Sequence, residues 1–88
     1  MMEVVLSNQS RKFLTKLHDK KYKERLFEVL GFLSVDPVPH ATFDLEKMGG
    51  MENTYRLRKG DFRIVYNFNK NTNIVYVIEI TRREQAYK

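Results

Sequence analysis

The sequence is 88 residues long and carries 16 Lys or Arg against 11 Asp or Glu, a formal net charge of +5. This length suits one hydrophobic core, so we expect a single domain over residues 1–88. Cysteine is absent, which excludes disulfides, thiolate metal sites and cysteine nucleophiles. The N-terminal residues lack a signal-peptide pattern and no apolar run is long enough to span a membrane, which predicts a soluble, cytoplasmic protein.

The charge is unevenly distributed along the chain. Residues 1–52 hold eight Lys or Arg and eight Asp or Glu, a net charge of zero, whereas residues 53–88 hold eight against three, a net charge of +5. This asymmetry favours a polyanionic ligand. A solvated basic surface that keeps the protein soluble explains the charge alone equally well.

The N-terminal half predicts a short strand followed by two helices. Residues 2–6 are typical of a strand, and Ser7 is a suitable N-cap for the first helix. After a break at residues 19–21, an apolar stripe at i, i+4, i+7, i+8 and i+11 predicts a second helix, which ends at Asp36-Pro37-Val38-Pro39. The two helices should form a hairpin. The stripe consists of Tyr22, Leu26, Val29, Leu30 and Leu33.

Beyond a loop predicted for residues 40–53, the apolar period changes from 3.6 to 2. Residues 54–58, 62–68 and 74–81 predict three strands connected by short turns. We therefore predict an α+β fold, with the helical hairpin on one face of a twisted antiparallel sheet. The N-terminal strand should join this sheet, although its neighbour is not indicated. The predicted core includes Leu26, Leu30, Leu33, Ile64, Tyr66 and Ile78.

Alternation along the predicted strands places arginines on one face. Arg56, Arg58, Arg63 and Arg83 have the parity opposite to the main apolar residues, so they converge if those apolar residues face the helices. Each guanidinium offers a planar fork of donors that matches phosphate oxygens. One arginine is more simply explained as a surface residue that discourages aggregation, but four on one face favour a phosphate site. Tyr87 lies just beyond and offers a phenol for stacking or proton transfer.

Other chemistries are less well supported. His18 and His40 have no partner at metal-ligand spacing, and no phosphate-binding glycine motif or dinucleotide fingerprint is present. We therefore predict no metal and no cofactor. A second basic cluster is interleaved with Glu24 and Glu28, so a solvated helix face explains it, although non-specific contact with a large RNA is an alternative. This cluster consists of Lys12, Lys16, Lys20, Lys21, Lys23 and Arg25.

The order of these elements, with Lys47-Met48-Gly49-Gly50 before the segment from Tyr55 to Tyr66, resembles the RelE/ParE toxin superfamily in its archaeal RelE-like form. The resemblance covers nearly the whole chain. ParE-type members share the fold and much of that segment, yet act on DNA gyrase. Arg83 and Tyr87 favour the RelE branch, whose members cleave mRNA in the ribosomal A site.

The resemblance implies a type II toxin that inhibits translation as a metal-independent endoribonuclease, with the ribosome, mRNA and a RelB-like antitoxin as partners. The ribose 2′-hydroxyl would supply the nucleophile. The alternatives are a ParE-like non-catalytic toxin that inhibits DNA gyrase and a basic RNA-binding domain. The implied catalytic residues are Arg58, Arg63, Arg83 and Tyr87, and the implied RNA contacts are Arg56, Arg58, Lys59, Arg82 and Lys88.

Overall fold

The computed structural model describes residues 2–82, which form two helices and five strands. This α+β architecture agrees with the prediction. No helix in this range is both long and apolar enough to cross a membrane. The helices are α1 (Asn8–Lys16) and α2 (Lys20–Val35). The strands are β1 (Glu3–Leu6), β2 (Asp44–Lys47), β3 (Thr54–Lys59), β4 (Phe62–Asn69) and β5 (Ile74–Arg82).

Both helices begin at side-chain caps. The Ser7 hydroxyl accepts a hydrogen bond from the Ser10 N–H at 3.1 Å, so the predicted N-cap is confirmed. The Asp19 carboxylate accepts hydrogen bonds from the N–H groups of Lys21 and Tyr22. Each cap satisfies donors that the first helical turn leaves without a partner. Asp19 therefore ends the break between the helices and starts α2.

The strands form one mixed sheet in the order β1-β5-β4-β3-β2. Neighbours from β2 to β5 are antiparallel, but β1 pairs with β5 in parallel, so the sheet is not entirely antiparallel as predicted. The prediction of a loop throughout residues 40–53 is wrong at β2. There Leu45 packs against the core while Asp44 and Glu46 are exposed, an alternation that suits an edge strand.

A β-bulge changes which residues of β5 face the helices. The register between β4 and β5 shifts at Val65 and Tyr66, leaving Ile78 as the extra residue. Val77 is buried before the bulge and Ile80 after it. The prediction that Ile78 belongs to the core is therefore wrong, and its side chain is only half-buried.

The core lies between the helices and one face of the sheet. The predicted α2 stripe is confirmed, since four of its five residues are buried and Tyr22 packs against them. Removing this apolar surface from water is the main force holding the helices on the sheet. The buried apolar residues of the sheet are Leu57, Phe62, Ile64, Tyr66, Val75, Val77 and Ile80.

The start of α1 completes the hydrogen bonding of β5 beyond the point where β1 ends. The Ser7 hydroxyl donates to the carbonyl oxygen of Ile78 at 2.7 Å. The Gln9 amide donates to the carbonyl of Ile80 at 2.8 Å, and its oxygen accepts from the Ile80 N–H at 2.9 Å. These side chains take the place of a neighbouring strand and satisfy backbone groups that would otherwise be buried without partners.

Candidate functional site

The face of the sheet turned away from the helices, called here the open face, carries three of the predicted arginines. Arg58 on β3 lies opposite Arg63 on β4, and Arg56 lies opposite Val65. Residues paired across antiparallel strands project from the same face. Because the intervening Leu57 is fully buried under the helices, these arginines point the other way. The alternation in the sequence therefore predicted their shared face correctly.

Arg58 and Arg63 form a pair of like charges on rigid strands. Directly opposed side chains have Cβ atoms about 5 Å apart, and like charges at such positions destabilise a sheet. Arg58 is exposed and Arg63 is half-buried. Within residues 2–82, neither guanidinium lies within 4 Å of a carboxylate oxygen. An anion held between the two side chains would relieve their repulsion, and a phosphate group fits their donor geometry.

Strand β2 brings carboxylates to the open face that the sequence analysis missed. Asp44 lies opposite Arg58, and Glu46 lies opposite Arg56. Nη2 of Arg56 is 2.5 Å from Oε1 of Glu46, so Arg56 is already engaged in an ion pair. The sequence carries only a short signal for this strand, because residues 43–46 alternate between apolar and charged side chains.

The described part of the open face carries no excess of positive charge on strands β2 to β5. Glu79 on β5 lies opposite Val65, so it shares this face and is exposed. Across strands β2 to β5 the described charges on the open face therefore cancel. On this described part of the face, the arginines that are not engaged in an ion pair are Arg58 and Arg63, near the β3–β4 turn. The charges that cancel are those of Arg56, Arg58 and Arg63 against Asp44, Glu46 and Glu79.

Lys59 and Arg82 lie on the other side of the sheet. Both are register partners of Phe62, which is buried against the helices. The guanidinium carbon of Arg82 is 4.5 Å from the ring centre of Tyr22 and 5.5 Å from that of Phe62. Lys59 Nζ is 5.8 Å from the ring centre of Phe43. Cation–π contacts hold these two side chains away from the three arginines.

The remaining predicted site residues, Arg83, Tyr87 and Lys88, lie outside the described residues, and their roles stay predictions. Among residues 2–82, no group of three or more His, Asp or Glu side chains is arranged to hold a metal ion. His18 and His40 are both exposed. The chemistry available to the described part of the site is therefore that of guanidinium groups with nearby carboxylates.

Comparison with known sequences decides the family. The family model described as the ParE toxin of the type II toxin–antitoxin system parDE matches residues 4–87. RelE1 of Methanocaldococcus jannaschii is 36% identical over 69 residues, which cover 78% of this chain and 72% of that relative. This chain belongs to the RelE/ParE family of type II toxins. The resemblance drawn from the sequence is thereby confirmed.

Solved structures of RelE-type proteins share the fold of this family member. The RelE chain of an archaeal RelE–RelB complex from Pyrococcus horikoshii is 30% identical, with a TM-score of 0.82 over 93% of this chain and 94% of that one. The isolated Escherichia coli RelE toxin is 21% identical, with a TM-score of 0.77 over 93% and 84%. The second likeness shows the fold alone, and both support the predicted RelE-like α+β architecture.

Proposed function

We propose that this toxin inhibits translation by cleaving mRNA on the ribosome, acting in the cytoplasm as an endoribonuclease that needs no metal. The observation that carries this proposal is the opposed pair Arg58 and Arg63 on the open face. Their repulsion is relieved by a bound phosphate, and rigid strands hold both groups in position as catalysis requires. The resemblance to RelE-type proteins supplies the substrate.

RNA carries its own nucleophile for this reaction. The ribose 2′-hydroxyl attacks the adjacent phosphorus, the bond to the 5′-oxygen breaks, and the products are a 2′,3′-cyclic phosphate and a 5′-hydroxyl. The protein must align the phosphate and stabilise the negative charge that develops on its oxygens. We assign these two tasks to Arg58 and Arg63.

Proton transfer needs further groups. By resemblance we assign Tyr87 to proton transfer or base stacking, and Arg83 to a second phosphate contact. Since neither guanidinium of the described pair releases a proton readily, we expect the ribosome to contribute by positioning the substrate, so that isolated RNA is cleaved slowly. A Tyr87→Phe variant keeps the ring and removes only the hydroxyl, which separates the two roles of Tyr87.

The proposed RNA contacts differ in what they require. Arg56 must exchange its ion pair with Glu46 for a phosphate before it can bind RNA. Lys59 and Arg82 lie on the helix side of the sheet, so they reach only RNA that passes around the sheet end. Lys88 remains a contact proposed from the resemblance. Arg58 therefore has the simplest access to substrate among these residues.

We also propose a RelB-like antitoxin as the partner that restrains this toxin. The Pyrococcus horikoshii relative was solved as a RelE–RelB complex. An antitoxin with acidic segments would find complementary charge at Arg58 and Arg63. Co-expression of a neighbouring gene that encodes such a partner should relieve the growth arrest caused by the toxin.

The decisive experiment is 3′-end mapping of ribosome-bound mRNA after expression of the toxin, with Arg63→Ala as the control. Cleavage within mRNA at the A site, absent in the control, supports the proposal. The family model is named for ParE, so DNA gyrase inhibition is the second candidate. Failure of supercoiling and replication while protein synthesis continues would favour it. RNA binding without any cleavage would indicate a basic RNA-binding domain instead.

A further inference from the structure

The first helix and the start of the second carry an excess of positive charge. This excess is not visible when the net charge is counted over residues 1–52 together. Residues 8–23 hold six Lys or Arg and one Asp, a net charge of +5, whereas residues 24–52 hold two Lys or Arg and six Asp or Glu, a net charge of −4. Together with Glu3, this basic segment and this acidic one give the zero net charge of residues 1–52. The basic segment comprises α1 and the first turn of α2.

Five of these six basic side chains are exposed and are called here the helical basic surface, whereas Lys23 is half-buried. On α1, the side chains line a shallow groove of about 300 Å³. The single carboxylate within the segment, Asp19, is occupied in capping α2. The helical basic surface consists of Arg11, Lys12, Lys16, Lys20 and Lys21.

Stability of the fold does not explain this arrangement. Lys12 and Lys16 are four residues apart on a helix without an acidic residue, and like charges at that spacing cost roughly 0.2–0.5 kcal/mol. Lys20 and Lys21 occupy the first turn of α2, which has no acidic residue. There the positive end of the helix dipole disfavours cations. A binding role accounts for basic residues at positions where folding alone would favour acidic ones.

The part of the helical basic surface that lies on α1 and the arginine pair are on opposite sides of the sheet. Leu14 of α1 is buried, and the Ser10 hydroxyl donates to the carbonyl of Val77 in β5 at 3.2 Å. This side of α1 therefore faces the sheet, and its exposed lysines point away from it. Arg58 and Arg63 project from the open face, so both surfaces can be occupied at the same time.

We infer that the helical basic surface binds the phosphate backbone of folded RNA and docks the toxin on the ribosome while the open face holds mRNA. The role on the ribosome rests on the proposed function. Lysines bind phosphates as point charges and read no sequence, which suits docking on an RNA backbone. A membrane is the poorer partner, because the exposed side of α1 presents Arg11, Lys12, Thr15 and Lys16, without the apolar residues that interfacial helices insert.

The test compares two double variants with the same net charge. Lys12→Gln with Lys16→Gln removes two charges from the helical basic surface. Lys47→Gln with Lys70→Gln removes two exposed charges elsewhere. The probe is a short RNA duplex, titrated at several salt concentrations. Each lost phosphate contact lowers the slope of log affinity against log salt by about 1. We expect the magnitude of this slope to decrease by about 2 for Lys12→Gln with Lys16→Gln, and to change little for Lys47→Gln with Lys70→Gln.

Three further measurements make the outcome decisive. Thermal unfolding should show both variants folded, since Gln and Lys have similar helix propensities. Equal slopes of log affinity against log salt for the two variants would overturn the proposal. It would also be overturned if the toxin bound phosphatidylserine vesicles as tightly as RNA. Duplex binding does not depend on cleavage, so absence of mRNA cleavage would refute the proposed function and leave this test intact. On ribosomes, the first variant should sediment less with the particles than the second.

Discussion

Replacing Arg63 by alanine tests the proposed site most directly. Arg63 lies on β4, the central strand of the sheet, directly opposite Arg58 on β3. If both groups contact the reacting phosphate, losing one charged donor should cost about 3–4 kcal/mol of barrier, a decrease of about a hundredfold to a thousandfold in rate. The same change removes a like-charge opposition worth up to about 1 kcal/mol, so stability should be unchanged or slightly higher.

The assay is single-turnover cleavage of mRNA on ribosomes, with urea unfolding measured in parallel. Arg63→Lys keeps the charge but loses the planar fork, so its rate should fall between those of the wild type and Arg63→Ala. Lys70→Ala is the matched control, because it removes one exposed charge from the β4–β5 turn. Combining Arg58→Ala with Arg63→Ala should reduce the rate by less than the product of the single effects, since both act on one phosphate.

Two results would refute this reasoning. A rate near that of the wild type for Arg63→Ala would show that the reacting phosphate does not lie between these strands. Equal and small effects for Arg63→Ala and Lys70→Ala, both disappearing at high salt, would indicate non-specific electrostatic attraction. A large loss of stability in Arg63→Ala would leave the rate uninterpretable, and Arg63→Lys then decides the question.

Two further predictions concern side-chain hydrogen bonds that stabilise the fold. Tyr66→Phe removes the hydroxyl that donates to the Pro37 carbonyl at 2.7 Å and should cost about 1 kcal/mol, lowering Tm by roughly 4–8 °C. Burial raises the pKa of Tyr66, whereas a tyrosine in the unfolded chain ionises near pH 10. Above about that pH, the free energy of unfolding of the wild type should therefore decrease more steeply than that of Tyr66→Phe, as measured by urea unfolding. Gln9→Ala leaves two backbone groups of Ile80 without partners and should cost about 1–3 kcal/mol, with faster amide exchange at Ile80; normal exchange there would refute its role.

The features predicted correctly from the sequence are those encoded by local repetition. The α2 stripe recurs over about three turns, and the alternation of β3 and β4 places Leu57 and Ile64 inward and Arg58 outward. The Ser7 cap is likewise a local signal. Each of these depends on residues within a few positions of one another, and the physical preference is the same in every context.

The features that were missed depend on contacts between distant residues. The bulge at Ile78 is stabilised by Ser7, which donates a hydrogen bond across 71 positions, and no alternation within β5 indicates it. Strand β2 is short, and its pairing with β3 places Glu46 against Arg56. Charge counted along the sequence therefore did not indicate that acidic residues of β2 and β5 lie beside the arginines, because only folding brings these strands together.

The parallel pairing of β1 with β5 has a consequence for biosynthesis. β5 lies between β1 and β4 in the sheet, although it is the last strand in sequence. The first strand therefore has no neighbour until residues 74–77 have left the ribosome, and contacts between such distant segments form slowly because a long loop must close first. A chain that lacks β5 cannot complete the sheet, because nothing then joins β1 to β4. Completion of the sheet in this toxin therefore depends on contact between its first and last described strands.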